Sequence, residues 1–338
     1  MSTSTFRSHH ATADTADTAD TSATTKDTTA PPTWHGVLRH PTLTTTVPKE
    51  FVHRASVAEV MLTDWARTDD SHFTVAAQWP RGHSFFTTVE GCHDPLIAAE
   101  TIRQAGSLIS HAEFGVPLGY NFLMWELDFA VHPEHLRVES TPATLDIEIA
   151  CSDIKRRGAN LSGLRYEAVI RRDGHIAATG GAAFTCTSPR VYQRLRAERL
   201  GRGRPQPPLT APTAPQTVGR VSPMDVVLSP TGEQGRWQLR VDTRHPVLFE
   251  HPVDHVPGMM LLEAARQATA ATLGSPALPL RVTSTFARYA ELDASCVIEA
   301  RRLPGSGTDR EESVLVTAHQ EGELVFRATV TAAAPRTM

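Results

Sequence analysis

The sequence predicts an α+β protein in which one fold unit is used twice, and three observations carry that prediction. The string Glu-x-x-Arg-Gln-Ala occurs at residues 100–105 and again at residues 263–268, with the two glutamates 163 positions apart. Both strings lie in apolar stretches long enough for a helix, LIAAETIRQAG and MMLLEAARQAT. Around each stretch lie runs that alternate apolar and polar residues, the period-two pattern of strands. A long helix followed by a meander of strands, given twice, is an α+β order rather than the βαβ alternation of a dinucleotide-binding fold.

The elements follow in order. A chain of 338 residues fits two domains of roughly 150 residues each. Residues 1–45 are rich in Thr, Ala, Ser and Asp, with Thr-Ala-Asp recurring from Thr12 to Asp20, and read as a disordered tail. Residues 46–186 make the first domain. It opens with VHRASVAEVMLT, continues through the strand HFTVAAQWP, and enters its helix through Asp94 as N-cap and Pro95 in the first turn. It ends in a hairpin that turns at Asp173-Gly174. Residues 187–217, ending RGRPQPPLTAPTAPQT, read as an extended Pro- and Arg-rich linker whose arginines form a solvated face. Residues 218–338 repeat the order: VGRVSPMDVVLS, the strand RWQLRVDTR, a helix stopped by Gly274, and a hairpin turning at Glu321-Gly322.

Bulk composition excludes several classes. A formal charge of −4 argues against a nucleic-acid binder that lives on phosphate contacts, and no helix-turn-helix is visible. No segment is apolar and long enough to span a bilayer, and the N-terminal stretch lacks a secretory apolar core. The four cysteines, Cys92, Cys151, Cys186 and Cys296, have no C-x-x-C spacing; the expected compartment is the cytoplasm, with reduced thiols. There is no G-x-S-x-G elbow and no glycine-rich phosphate loop.

Residues three and four apart share a helix face, so each copy sets a carboxylate, a guanidinium and an amide side by side: Glu100, Arg103 and Gln104, then Glu263, Arg266 and Gln267. Charges on an otherwise apolar face are costly to desolvate. Two readings are open for each set, a working cleft or a buried tie between helix and sheet. Ahead of the second helix, HPVLFEHPVDHVPG supplies His245, His251, Asp254 and His255. His251 is a candidate to orient substrate or act as an acid, and otherwise a solvated loop histidine. Pro252 and Pro257 make this stretch a loop, and no metal site is expected. Trp125 and Phe129 are expected to pack against the helix in the core, lining an acyl tunnel being the other reading.

The run from Pro257 to Ala264, with LFEHP before it, resembles the helix start of 3-hydroxyacyl carrier-protein dehydratases, which are hotdog enzymes. The spacing departs from theirs: His251 precedes Glu263 by twelve positions and His255 by eight. The duplicated Glu-x-x-Arg-Gln-Ala set more closely resembles the A-factor biosynthesis (AfsA-like) hotdog family, over essentially all of residues 47–334. That resemblance implies a tandem hotdog fold, each half a long central helix wrapped by a curved antiparallel sheet, the halves packed as a pseudo-dimer. It implies a cofactor-free acyltransferase that moves a 3-oxoacyl chain from acyl carrier protein to dihydroxyacetone phosphate, making γ-butyrolactone-type signals. Under it Glu263 is the expected general base, its pKa raised by apolar surroundings, and Arg266 the phosphate or oxyanion fork. Glu100 and Arg103 are the equivalent pair, while Gln104, Gln267 and His251 are expected to touch substrate. On this reading the second copy is the better equipped. Two other readings stay open: a dehydratase or thioesterase of acyl thioesters, and a non-catalytic acyl or butyrolactone binder.

Overall fold

The computed structural model describes residues 44–158, 160–201, 203–275, 278–304 and 311–333; apart from Thr44 and Thr45, the expected disordered tail lies outside them. The first half contains β1 (Leu62–Arg67), β2 (His72–Trp79), helix α1 (Leu96–Ala112), β3 (Asn121–Val131), β4 (Ala143–Arg157), β5 (Asn160–Arg172) and β6 (His175–Thr187). Helix α2 (Pro189–Gly201) follows. The second half contains β7 (Leu228–Pro230), β8 (Arg236–Leu239), helix α3 (Gly258–Leu273), β9 (Pro279–Phe286), β10 (Cys296–Arg302), β11 (Glu311–Gln320) and β12 (Glu323–Ala333).

Strands of the first half lie in the order β1-β2-β4-β5-β6-β3, and those of the second run β9-β12-β11-β10-β8-β7. The second order is the first reversed, β1 answering to β7 and β3 to β9. Antiparallel pairing of β3 with β9, from Glu126↔Thr285 to Ala130↔Arg281, joins both halves in one 12-stranded sheet. Helix α1 packs on strands from β1 to β3, so its half-sheet must curl around it. All but two residues of α1 are buried. The tandem hotdog expectation is met.

Local chemistry explains the element ends. Asp173-Gly174 and Glu321-Gly322 both place two successive residues at positive φ, the type I′ turn that suits twisted hairpins. Asp94 Oδ1 accepts the Leu96 N–H at 2.9 Å, capping α1 with Pro95 beside it. Gly274, with φ 72°, ends α3 as expected.

The linker departs from the extended chain predicted for it. Ser188 caps α2 by accepting from the Val191 N–H at 3.4 Å, and Pro189 takes the first helical position. The prolines that suggested an extended segment, Pro205, Pro207 and Pro208, come only after the helix. Nor are all the linker arginines solvated. Arg196 is 4% exposed, pairs with Asp254 at 3.1 Å and lies over the Tyr289 ring at 4.3 Å. Arg199 pairs with Glu321 at 3.1 Å and with Asp293. Arg190 and Arg194, on the opposite face of α2, are exposed.

Candidate active site

Each half builds the same charged cluster on its central helix. In the first, Arg103 holds Glu100 with Nε on Oε2 at 2.9 Å and Nη2 on Oε1 at 2.8 Å. Arg54, from the turn before β1, adds Nε to Oε1 at 3.0 Å. In the second, Arg266 Nε meets Glu263 Oε2 at 2.9 Å, and Arg220, the repeat equivalent of Arg54, meets Oε1 at 2.8 Å. Both N-terminal arginines also reach across the seam. Arg54 Nη1 donates to the Val247 carbonyl at 3.4 Å and to Glu250 at 3.1 Å, while Arg220 Nη1 donates to the Phe85 carbonyl at 2.6 Å. The two clusters are therefore pseudo-equivalent, and each is built from both halves.

Access separates them. A cavity of about 680 Å³ lies between the halves, with His53, Arg54, Arg103, Ser107, Glu250 and His251 at one charged end. Much of its wall is apolar and aromatic, with Phe122, Met124, Trp125, Tyr166 and Phe184 from the first half and Val256, Met259, Leu262 and Phe286 from the second. A second charged group, Arg199, Arg288, Glu291, Glu321 and Glu323, lines it too. The Arg103 side chain is 18% exposed and its Nη1 has no partner among the described residues. Glu263, Arg266 and Arg220 do not line this cavity, and their side chains are 0, 4 and 2% exposed.

Several expectations are corrected by this geometry. Burial alone would raise the pKa of Glu263, but Arg220 and Arg266 outweigh it and hold the group near 2. This is contrary to the raised pKa expected of it; both of its oxygens are taken by Arg220, Arg266 and Gln267, and neither it nor Arg266 lines the cavity. The first copy, not the second, meets the cavity through Arg103. Glu100 behaves as Glu263 does: burial opposes ionisation, Arg103 and Arg54 win, and its pKa falls to about 2. Gln104 and Gln267, expected to touch substrate, are fully buried clamps. Gln104 bonds the Glu59 carbonyl at 2.8 Å and the Met61 N–H at 2.9 Å; Gln267 does the same with Asp225 and Val227. Trp125, expected in the core, is 45% exposed and stands on the cavity wall, whereas Phe129 is in the core.

His251 does line the cavity, half exposed, with Nδ1 3.8 Å from Glu250 Oε1. Asp254 and His255 bind each other and Tyr192 of α2. Cys92 is buried, and burial raises its thiol pKa, as suits a core residue. Sequence reasoning missed Arg54, Arg220, Glu250, His53 and His111. The arginines had a signal, since HRAS and GRVS stand in matching segments of the repeat.

Two helix-centred half-sheets, fused edge to edge over a largely apolar cavity with charged groups on its wall, define a tandem hotdog protein built for an acyl-type ligand. The chain belongs to the A-factor biosynthesis hotdog family (AfsA), whose model matches residues 38–188 and 203–335. It is 55% identical over 289 residues to the 2-oxo-3-(phosphooxy)propyl 3-oxoalkanoate synthase of Streptomyces virginiae, covering 85% of this chain and 98% of that protein. It is 45% identical over 286 residues to the synthase of the same name from Streptomyces coelicolor, covering 84% and 90%. Among solved structures, the 12:0-ACP thioesterase of Umbellularia californica aligns over 77% of this chain and 97% of that one, at 13% identity and a TM-score of 0.47.

Proposed function

We propose that this chain is a cytoplasmic 2-oxo-3-(phosphooxy)propyl 3-oxoalkanoate synthase. It transfers a 3-oxoacyl group from the thioester of an acyl carrier protein to the free hydroxyl of dihydroxyacetone phosphate, the first committed ester of a γ-butyrolactone-type signal. The product named for the relatives is an ester whose acid part is a 3-oxoalkanoate and whose alcohol part is that phosphate. The observation that carries the reading is the open cluster, a guanidinium with free donors at one charged end of a largely apolar cavity.

The roles follow from the chemistry. Aromatic and aliphatic walls hold the acyl chain out of water. Arg103, fixed by its two bonds to Glu100, turns its remaining Nη1 donors toward the phosphate or the oxyanion that forms at the thioester carbonyl. Arg54 and Glu250 lock the two halves around this end. His251, beside Glu250, contacts the substrate from the second half. The C–S bond breaks, the C–O bond forms, and the hydroxyl proton ends on sulfur, so no redox partner is needed.

The test is incubation with a 3-oxoacyl carrier protein and dihydroxyacetone phosphate, with mass spectrometry of the products. The phosphorylated ester is expected. Water release from a 3-hydroxyacyl thioester, or tight lactone binding without turnover, would overturn the reading in favour of a dehydratase or a sensor.

A further inference from the structure

We propose that His53 is the base that takes the acceptor's hydroxyl proton, and that the buried His111 is a positioning residue that fixes which ring nitrogen of His53 is free to do so. The proposal rests on the transfer reaction above. His111 Nδ1 lies 2.7 Å from the Val116 carbonyl, and its Nε2 lies 2.7 Å from His53 Nε2. A carbonyl only accepts, so His111 carries its proton on Nδ1, and as a neutral imidazole it must accept at Nε2. His53 therefore donates from Nε2, which leaves its Nδ1 bare. That nitrogen makes no hydrogen bond among the described residues, and His53 stands on the cavity wall with Arg103 and His251.

The internal repeat supplies an independent argument. His53 answers to Gly219, and His111, counted along the two helices, answers to Gly274. Neither histidine has a counterpart in the sealed half. His53 also sits in the left-handed region, at φ 54° and ψ 48°, where Gly219 sits at φ 68°. Glycine makes this turn without steric cost, whereas a residue with a β-carbon does not. The open half thus accepts backbone strain to place an imidazole, and buries a second imidazole against it.

Burial, reinforced by Arg103, lowers the pKa of His53 to about 3, so its lone pair is uncovered throughout the working range. A phosphate anion seated at Arg103 offsets that cation's share of the lowering, while the larger share, from burial, remains. His53 Nδ1 takes the hydroxyl proton while the oxygen bonds the thioester carbonyl carbon. The C–S bond then breaks, and the imidazolium returns the proton to the departing sulfur.

The test uses the full chain with a 3-oxoacyl carrier protein and dihydroxyacetone phosphate. His53→Gln and His53→Gly, the latter compatible with the turn, are each expected to lower kcat about 10²-fold or more, with KM values within a few-fold and an unchanged or raised melting temperature. In ¹⁵N-histidine spectra of the wild type, His53 should show a bare Nδ1 and a protonated Nε2. His111→Leu should disturb that tautomer and lower kcat, and His111→Gln, whose amide oxygen accepts from Nε2, should recover most of both. Wild-type kcat in His53→Gly, or a proton on His53 Nδ1, would overturn the proposal. Failure of the wild type to make any ester would instead remove the transfer reaction itself, and the base with it.

Discussion

At the scale of single residues, two charged clusters with matching members are expected to behave differently. Glu263→Gln leaves the guanidiniums of Arg220 and Arg266 buried with Asp94, 3.9 Å from Arg220, as the nearest acidic neighbour among the described residues, and breaking such a group typically costs about 3–5 kcal/mol. Thermal melts should show that loss, while the protein that remains folded keeps its turnover within a few-fold. Arg103→Ala should do the reverse: kcat/KM falls about 10²–10³-fold, with a smaller change in melting, because this side chain already meets the cavity. A large loss of turnover in well-folded Glu263→Gln would return the second copy to the chemistry. The Glu-x-x-Arg pairs were legible because a helix fixes what lies three residues away. Their access was not legible, since it depends on Arg54 and Glu250, which meet across 196 positions of chain.

Among the elements, α1 is shaped by one small residue. An alanine β-carbon at Gly106 would lie 2.5 Å from the ring of Tyr166, whose hydroxyl donates to the Ile102 carbonyl at 2.7 Å. Alanine favours a helix interior by about 1 kcal/mol over glycine, yet overpacking here costs about 1–3 kcal/mol, so Gly106→Ala should destabilise on balance. Because Tyr166 also lines the cavity, the same variant should prefer shorter acyl chains, which a chain-length series of donors would show. An unchanged length preference would mean the ring is not part of the acyl wall. The helix itself was plain in the sequence through its apolar run, its Asp-Pro start and its repeat. Helix α2 was obscured because composition was averaged over 187–217; Ser188-Pro189, a cap followed by a first-turn proline, was the local signal.

Considered as a whole molecule, the doubling was visible in the repeat, but the seam was not: β3 pairs with β9 through backbone groups, which carry no sequence signature. That seam has a consequence for acid stability. Glu100 and Glu263 have folded pKa values near 2, well below the unfolded range of about 4.3. A carboxyl depressed on folding contributes stability above its unfolded pKa and loses it as pH falls through the folded one, here from about 4.5 to 2. His53, a base lowered to about 3, begins the loss earlier, because the unfolded chain binds its proton below about 6.5. Asp94 opposes the trend, since burial raises its pKa and its protonation relieves a cost. Glu100 and Glu263 are each worth of order 3 kcal/mol, a contribution lost only below about pH 4.5. Between pH 6.5 and 4.5 His53 and Asp94 act in opposite directions, and below 4.5 the two glutamates should take the melting temperature down. Both clusters straddle the seam, so the halves should unfold in one transition rather than two. Glu263→Gln should flatten the fall below pH 4.5, and His53→Gly should remove the destabilising share between 6.5 and 4.5; a melting temperature level from pH 4.5 to 2 would refute the ionised, cross-half clusters on which the architecture depends.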